Sequence, residues 1–238
     1  MHRFFTNEIR ERTAVVRGED VKHISRVLRL KAGDAVQLCD GRGSECEAVI
    51  ESVAPDSVTF RTQPWTGAKS EPDVSVTLFQ CLPKAGKMET IIQKCVELGA
   101  ARFVPVQSER CVVVLKPPYE GRVERWQRVS EEAAKQSKRG RIPEVVLPEA
   151  LNRLDFSAFD TVLVAYENER TVSLKQALRA HPCRKLAVIV GPEGGFSEDE
   201  IAVLTAKGAV SVSLGTRILR TETAGMAMLA QIMYEVEP

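Results

Sequence analysis

Apolar and polar positions alternate in short runs over the first third of the chain. The stretches "HRFFT" (2–6), "TAVVRG" (13–18) and "AVQLCDGRG" (35–43) read as strands, the last ending in an Asp40-Gly41 turn. "CEAVIESVAPDSVTFRTQ" (46–63) alternates on both sides of a Pro55-Asp56 turn and predicts two more. One helix, over residues 20–30, interrupts them. Short strands with regular turn punctuation predict a small β-barrel. "TGAKSEPD" (66–73) is polar, with Gly and Pro, and predicts a linker.

From Val74 the period changes. "VSVTLFQCL" (74–82), "RFVPVQ" (102–107), "TVLVAY" (161–166), "LAVIV" (186–190) and "AVSVSL" (209–214) are strand-like apolar runs. "KMETIIQKCVELG" (87–99) is a helix with Met88, Ile91, Ile92, Cys95 and Val96 on one face and Gly99 as its stop. A charged helix follows around residues 121–137, and residues 221–235 close the chain as another. Strands alternating with helices predict a mostly parallel α/β sheet buried on both faces.

Composition adds limits. A chain of 238 residues holds one large domain or two small ones, and 44% hydrophobic with 27% charged residues is that of a soluble globular protein. A net charge of +1 gives no global attraction for polyanions, so nucleic-acid binding has to come from local basic patches. The six cysteines (Cys39, Cys46, Cys81, Cys95, Cys111 and Cys183) form no CxxC and sit mostly in apolar runs, which predicts buried thiols in a reducing compartment. With three histidines, and no signal peptide or membrane-length apolar run, we expect no metal site, no membrane partner and a cytoplasmic protein.

Two stretches carry candidate chemistry. In "AVIVGPEGGFSEDEIAVL" (187–204) an apolar strand stops at Gly-Pro-Glu-Gly-Gly, and a helix restarts with a Ser197/Glu200 capping box and a Phe196/Ile201 staple. Gly194 and Gly195 allow close backbone approach to a ligand, and ligands in open α/β sheets sit beyond the carboxyl ends of strands. The alternative is a plain glycine-rich turn. The loop is neither GxGxxG nor a P-loop, which argues against a nucleoside triphosphate. In "LGTRILRTETAGMAML" (214–229) a strand again ends in glycine, at Gly215, before a turn with Arg217 and Arg220. Thr221, Glu222 and Thr223 are cap candidates for the last helix, and Ala224, Gly225 and Ala227 mark a close-packing face.

Taken together, GPEGG…LGTRILRTETA resembles the RsmE family of SPOUT RNA methyltransferases. "RFF" (3–5), "HISRVLRLKAGD" (23–34), "KMETIIQKCVELG" and "EEAAKQSKRGRIPEV" (131–145) are similar to that family too, so the likeness spans the chain. It implies an α/β SPOUT-type trefoil-knot domain over residues 74–238 and a small N-terminal PUA-like β-barrel, RNA-binding, over residues 1–70. It implies a homodimer that methylates N3 of a uridine in 16S ribosomal RNA, with S-adenosylmethionine as cofactor and the RNA or the small ribosomal subunit as partner. By the same likeness the cofactor lies against Tyr166, Glu167, Val190, Gly191, Pro192, Glu193, Gly194, Gly195, Leu214, Gly215, Ile218, Leu219, Thr221, Thr223 and Ala224. Uridine N3 is an imide that is protonated near neutral pH, so its proton must leave and charge must spread onto O2 and O4. Arg220 is the expected stabiliser of that charge. Glu222 or Glu193 is a candidate proton acceptor, or else a loop-orienting carboxylate.

On the RNA side, basic residues outnumber acidic ones between Lys116 and Arg141. Arg122 to Arg128 reads as a solvated helix face with a Glu124–Arg128 pair. Lys135, Lys138, Arg139 and Arg141 read as phosphate contacts, extended by Arg3, Arg26 and Arg29, while His23, Trp65 and Trp126 read as structural. Two alternatives remain: a SPOUT-class ribose 2′-O methyltransferase, and a non-catalytic RNA-binding assembly factor.

Overall fold

The computed structural model describes residues 1–84, 86–181 and 184–236. The chain divides into two compact units, one of residues 1–71 with 134–142, the other of residues 72–133 with 143–238.

The first unit is built from β1 (Arg3–Phe5), β2 (Glu8–Arg10), β3 (Thr13–Arg17), the one-turn α1 (Glu19–Lys22), β4 (Ala35–Cys39), β5 (Ser44–Val53), β6 (Ser57–Thr62) and β7 (Thr66–Gly67). The strands run in the order β1-β4-β5-β6-β3-β2, with β7 on β5, so the sheet is an open half-barrel. Its alternating apolar side chains, among them Phe4, Val16, Leu38, Ile50 and Phe60, converge with Ile24 on one core, against which Trp65 packs.

Three features differ from the sequence expectation. Helix 20–30 stops early: after α1 the chain widens into a π-type turn (His23–Val27), where Leu28 N–H reaches back to His23 O. Arg29, at φ 55°, then turns the backbone out of the helical region. The short exposed strand β2 carries no alternation by which to find it. Residues 66–73 are not a free linker. Thr66–Gly67 pairs with Ser44 and Glu45, and the Glu71 carboxylate accepts from the Arg139 side chain (2.6 Å) and from the N–H groups of Gly140 (2.9 Å) and Arg141 (3.0 Å).

The second unit contains β8 (Ser75–Cys81), α2 (Lys87–Glu97), β9 (Arg102–Gln107), α3 (Glu120–Gln136, its end counted with the first unit), β10 (Glu144–Val145), β11 (Glu149–Ala150), β12 (Thr161–Ala165), α4 (Leu174–Ala180), β13 (Lys185–Val190), α5 (Glu198–Ala206), β14 (Ala209–Val212) and α6 (Thr221–Val236). All its strand pairs are parallel, in the order β10-β9-β8-β13-β12-β14, with β11 also on β9. The central strands are buried almost throughout, as a parallel sheet covered by helices requires. The predicted face of α2 (Met88, Ile91, Ile92, Cys95, Val96) is buried, and so is Trp126 of α3. The chain passes from β13 to β14 over the intervening β12, which gathers three strand ends beside one another. Cys39, Cys46, Cys81, Cys95 and Cys111 are free and buried, as expected, and Cys183 lies outside the described residues.

Arg139 is buried against Glu71. Arg139→Ala leaves that carboxylate with two backbone N–H groups and the more distant Arg141 (4.0 Å), and is expected to cost about 3 kcal/mol of unfolding free energy, read as a lower urea midpoint.

Candidate active site

Beyond the carboxyl ends of β12, β13 and β14 lies a cavity of about 530 Å³. This is within the range of small-molecule sites, about 300–1,000 Å³. β12 delivers Tyr166, Glu167 and Arg170 to it. β13 delivers Val190, Gly191, Pro192, Glu193, Gly194 and Gly195. The chain after β14 supplies Leu214, Gly215, Arg217, Ile218, Leu219 and Arg220, and α6 closes it with Thr221 and Ala224. Every residue expected to bind cofactor therefore lines one cavity except Thr223, which is exposed on α6 and outside the lining.

One hydroxyl joins the two loops. Thr221 Oγ1 donates to Gly191 O at 2.6 Å and accepts from Gln80 Nε2 at 2.9 Å. Gln80 is fully buried at the end of β8, where its amide also donates to Cys81 O. Thr221, expected to cap its own helix, bonds across the fold instead. The first loop is shaped by a Gly195 N–H bond to Pro192 O and by Gly195 at φ 66°. A β-carbon at Gly195 would lie 2.1 Å from Glu167 Oε1, the end of an exposed side chain that can move aside, so the preference for glycine rests on the positive φ. The capping box is present: Ser197 Oγ accepts from Glu200 N–H and Glu200 Oε2 accepts from Ser197 N–H.

A charge bridge missed in the sequence lies beside the cavity. Lys87 Nζ, at the start of α2, is 3.1 Å from both Glu193 Oε1 and Glu222 Oε2. Hydrogen bonds to the two carboxylates raise the pKa of Lys87. Glu193 is pushed up by burial, but the Lys84 N–H, its own N–H and Lys87 outweigh this and hold it below its ordinary value. Glu222 is lowered by its own backbone N–H at the helix start and by Lys87, against burial. Glu222 does not line the cavity, whereas Arg220 does and is exposed.

The expected RNA contacts separate into two sets. Arg3 is turned inward onto Glu45 (2.9 Å), Gln37 and the Lys138 carbonyl, and Arg139 is buried on Glu71, so neither presents its charge to solvent. Arg26, Arg29, Lys138 and Arg141 are exposed, and Lys135 is exposed while pairing with Asp20 at 3.0 Å. Arg125 reaches Glu89, and among the described residues no ion pair joins Glu124 to Arg128. His23 meets Phe4 edge-on. Among the described residues no group of three or more His, Cys, Asp or Glu is placed to hold a metal, and no helix is long and apolar enough to cross a membrane.

The geometry is that of a class of RNA-modifying transferases: an RNA methyltransferase domain model matches residues 70–233, and an RNA methyltransferase PUA domain model matches residues 16–63. The ribosomal RNA small subunit methyltransferase E of Bacillus subtilis is 37% identical over 233 residues, covering 94% of this chain and 91% of the relative. A crystal structure of a ribosomal RNA small subunit methyltransferase E from Neisseria gonorrhoeae, bound to S-adenosyl methionine, superposes with a TM-score of 0.85 at 30% identity, covering 99% of this chain and 98% of that one. A Legionella pneumophila putative methyltransferase, in complex with the bound cofactor SAM, gives a TM-score of 0.81 at 29% identity over 98% and 97% of the two chains. The chain belongs to the ribosomal RNA small subunit methyltransferase E family.

Two outcomes test this local structure. Thr221→Val leaves the Gln80 amide and the Gly191 carbonyl short of a partner and is expected to cost about 2 kcal/mol in chemical denaturation. Glu169, next to Arg170 of the lining, accepts from Ser211, Thr171 and Val172, which lower its pKa to about 2. A lowered carboxylate stabilises the fold above its unfolded pKa, and that contribution fades as pH falls towards 2. Glu169→Gln should therefore flatten the acid limb of stability between about pH 4.5 and 2.

Proposed function

We propose that this protein transfers a methyl group from S-adenosylmethionine to N3 of a uridine in 16S ribosomal RNA, as free RNA or in the small subunit. The observation that carries the reading is a single cavity formed by both glycine loops, with Arg220 exposed in its lining. The cofactor's size and character suit the cavity: the 191–195 and 214–215 segments line it with main chain for its polar edges, although Gly191 O, Gly194 O and the Gly195 N–H already hold partners within the protein, and Val190, Leu214, Leu219 and Ala224 line it for its apolar faces. Bound there, it supplies an activated methyl group.

This chain's part is to position the acceptor and stabilise the negative charge that develops on the imide as its N3 proton passes to solvent water. Arg220 serves the second task, its guanidinium beside O2 or O4 making N3–H more acidic. Glu193 and Glu222 are ionised and held by Lys87, so they orient the loops and do not take the proton. Arg170 and Arg217, also in the lining, add positive potential for an approaching polyanion. In the first unit, Arg26, Arg29, Lys135, Lys138 and Arg141 serve as phosphate contacts, residues 1–70 acting as the RNA-holding domain and 74–238 as the transferase domain with its knot. The protein works in the cytoplasm as a homodimer, which would cover Ile218 (83% exposed) and Tyr234 (87% exposed).

The test is incubation with labelled S-adenosylmethionine and unmodified small subunits or 16S RNA, followed by nucleoside analysis. We expect 3-methyluridine. A 2′-O-methyl product, or no cofactor binding at all, would refute the reading. Arg220→Ala is expected to slow transfer by about 100-fold or more while cofactor affinity stays within about twofold, and full activity in that variant would remove the role given to Arg220.

A further inference from the structure

The segment Ser108-Glu109-Arg110, which follows β9, carries no motif and lies outside the cavity lining, yet it is bonded to the far end of the first glycine loop and to the capping box of α5. Arg110 Nη1 donates to Gly194 O at 3.2 Å and to Phe196 O at 3.3 Å. Glu109 N–H donates to Glu200 Oε1 at 2.7 Å, and Glu109 Oε2 accepts from Ser197 Oγ at 3.0 Å. The two carboxyl oxygens of Glu200 are thus divided between its own capping box and Glu109.

The packing is as close as the bonding. A β-carbon at Gly194 would lie 3.1 Å from the Arg110 β-carbon, so a larger residue here would require the arginine stem to give by a few tenths of an ångström. The loop is therefore fixed from two directions: Thr221 holds Gly191, and Arg110 holds Gly194 and Phe196. Between those anchors lie Pro192 and Glu193, whose neighbouring backbone faces the cavity. Two main-chain carbonyls drawn onto one guanidinium fix the orientation of the peptide groups on either side of them. A loop that binds through its backbone loses affinity when those groups are free to rotate, because the ordering entropy then has to be met at the moment of binding.

We propose that Arg110 is a positioning residue for the cofactor: it touches no ligand itself, and it sets cofactor affinity by holding the 191–196 loop in its binding conformation. The inference rests on the reading of the cavity as the S-adenosylmethionine site. It assigns to β9's trailing segment a part in a pocket otherwise built from the ends of β12, β13 and β14.

The test variant is Arg110→Met, which keeps the stem packed over Gly194 and removes the hydrogen bonds. Calorimetry with S-adenosylmethionine should show a Kd raised about fivefold, as expected for two partly solvated bonds. The KM for cofactor should rise in step, with kcat and the KM for RNA nearly unchanged and the ligand-free melting temperature within about 2 °C of wild type. Arg110→Lys should recover part of the affinity, since one ammonium can still serve a carbonyl. Affinity within twofold of wild type in Arg110→Met would overturn the inference alone. So would a melting temperature lower by more than about 5 °C with kcat and both KM values worsening together, because that pattern marks general stability. A wild-type protein that binds no cofactor would overturn the cavity reading and this inference with it.

Discussion

The pocket depends on one side chain that bonds in two directions. Thr221 Oγ1 donates to a carbonyl of the first glycine loop and accepts from a glutamine buried in the sheet, at the point where the second loop enters α6. Without that link, the 191–195 and 214–220 segments would lose their direct bond and be joined through Lys87, which spans Glu193 and Glu222. With it they are two walls of one slot. A hydroxyl suits the position because it can donate and accept at once, and because leaving either buried partner unsatisfied is costly.

The electrostatics follow from the same convergence. Glu193 belongs to the first loop and Glu222 to the start of α6, so joining the loops brings two carboxylates near each other. Lys87 lies between them and keeps both ionised, which changes their chemical character. A carboxylate already paired and lowered in pKa is a weak proton acceptor and a good strut. The positive charge in the cavity lining falls to the arginines, Arg220 among them.

Features fixed by near neighbours were legible in the sequence. The capping box at Ser197 and Glu200, the buried face of α2 and the apolar strands each declare themselves within a few residues. The residues named from the family likeness, Thr223 excepted, fall in the cavity lining, while Ala165, Arg170, Val212, Ser213 and Thr216 of that lining were not named; the first turn of α6 rotates Thr223 to solvent. What escaped was long-range. Gln80 meets Thr221 from 141 residues away, Lys87 meets Glu222 from 135, and Arg110 meets Gly194 from 84. No local period encodes such pairings. The same blindness affects the basic segment 135–141: Arg139 and Lys138 are adjacent in a run that looks uniformly solvated, yet Glu71 draws one inward and leaves the other exposed. The helix expected over 20–30 failed for a backbone reason, a widened turn and a left-handed Arg29, that its side-chain pattern does not report.

The central claim is that residues 191–195 and 214–221 act as one binding unit. Amide hydrogen exchange on the full chain, with and without saturating S-adenosylmethionine, measures this directly. The account predicts that protection rises together in both segments, with little change in the strands beneath. Protection confined to one segment, or appearing elsewhere in the chain while both stay unchanged, would contradict it.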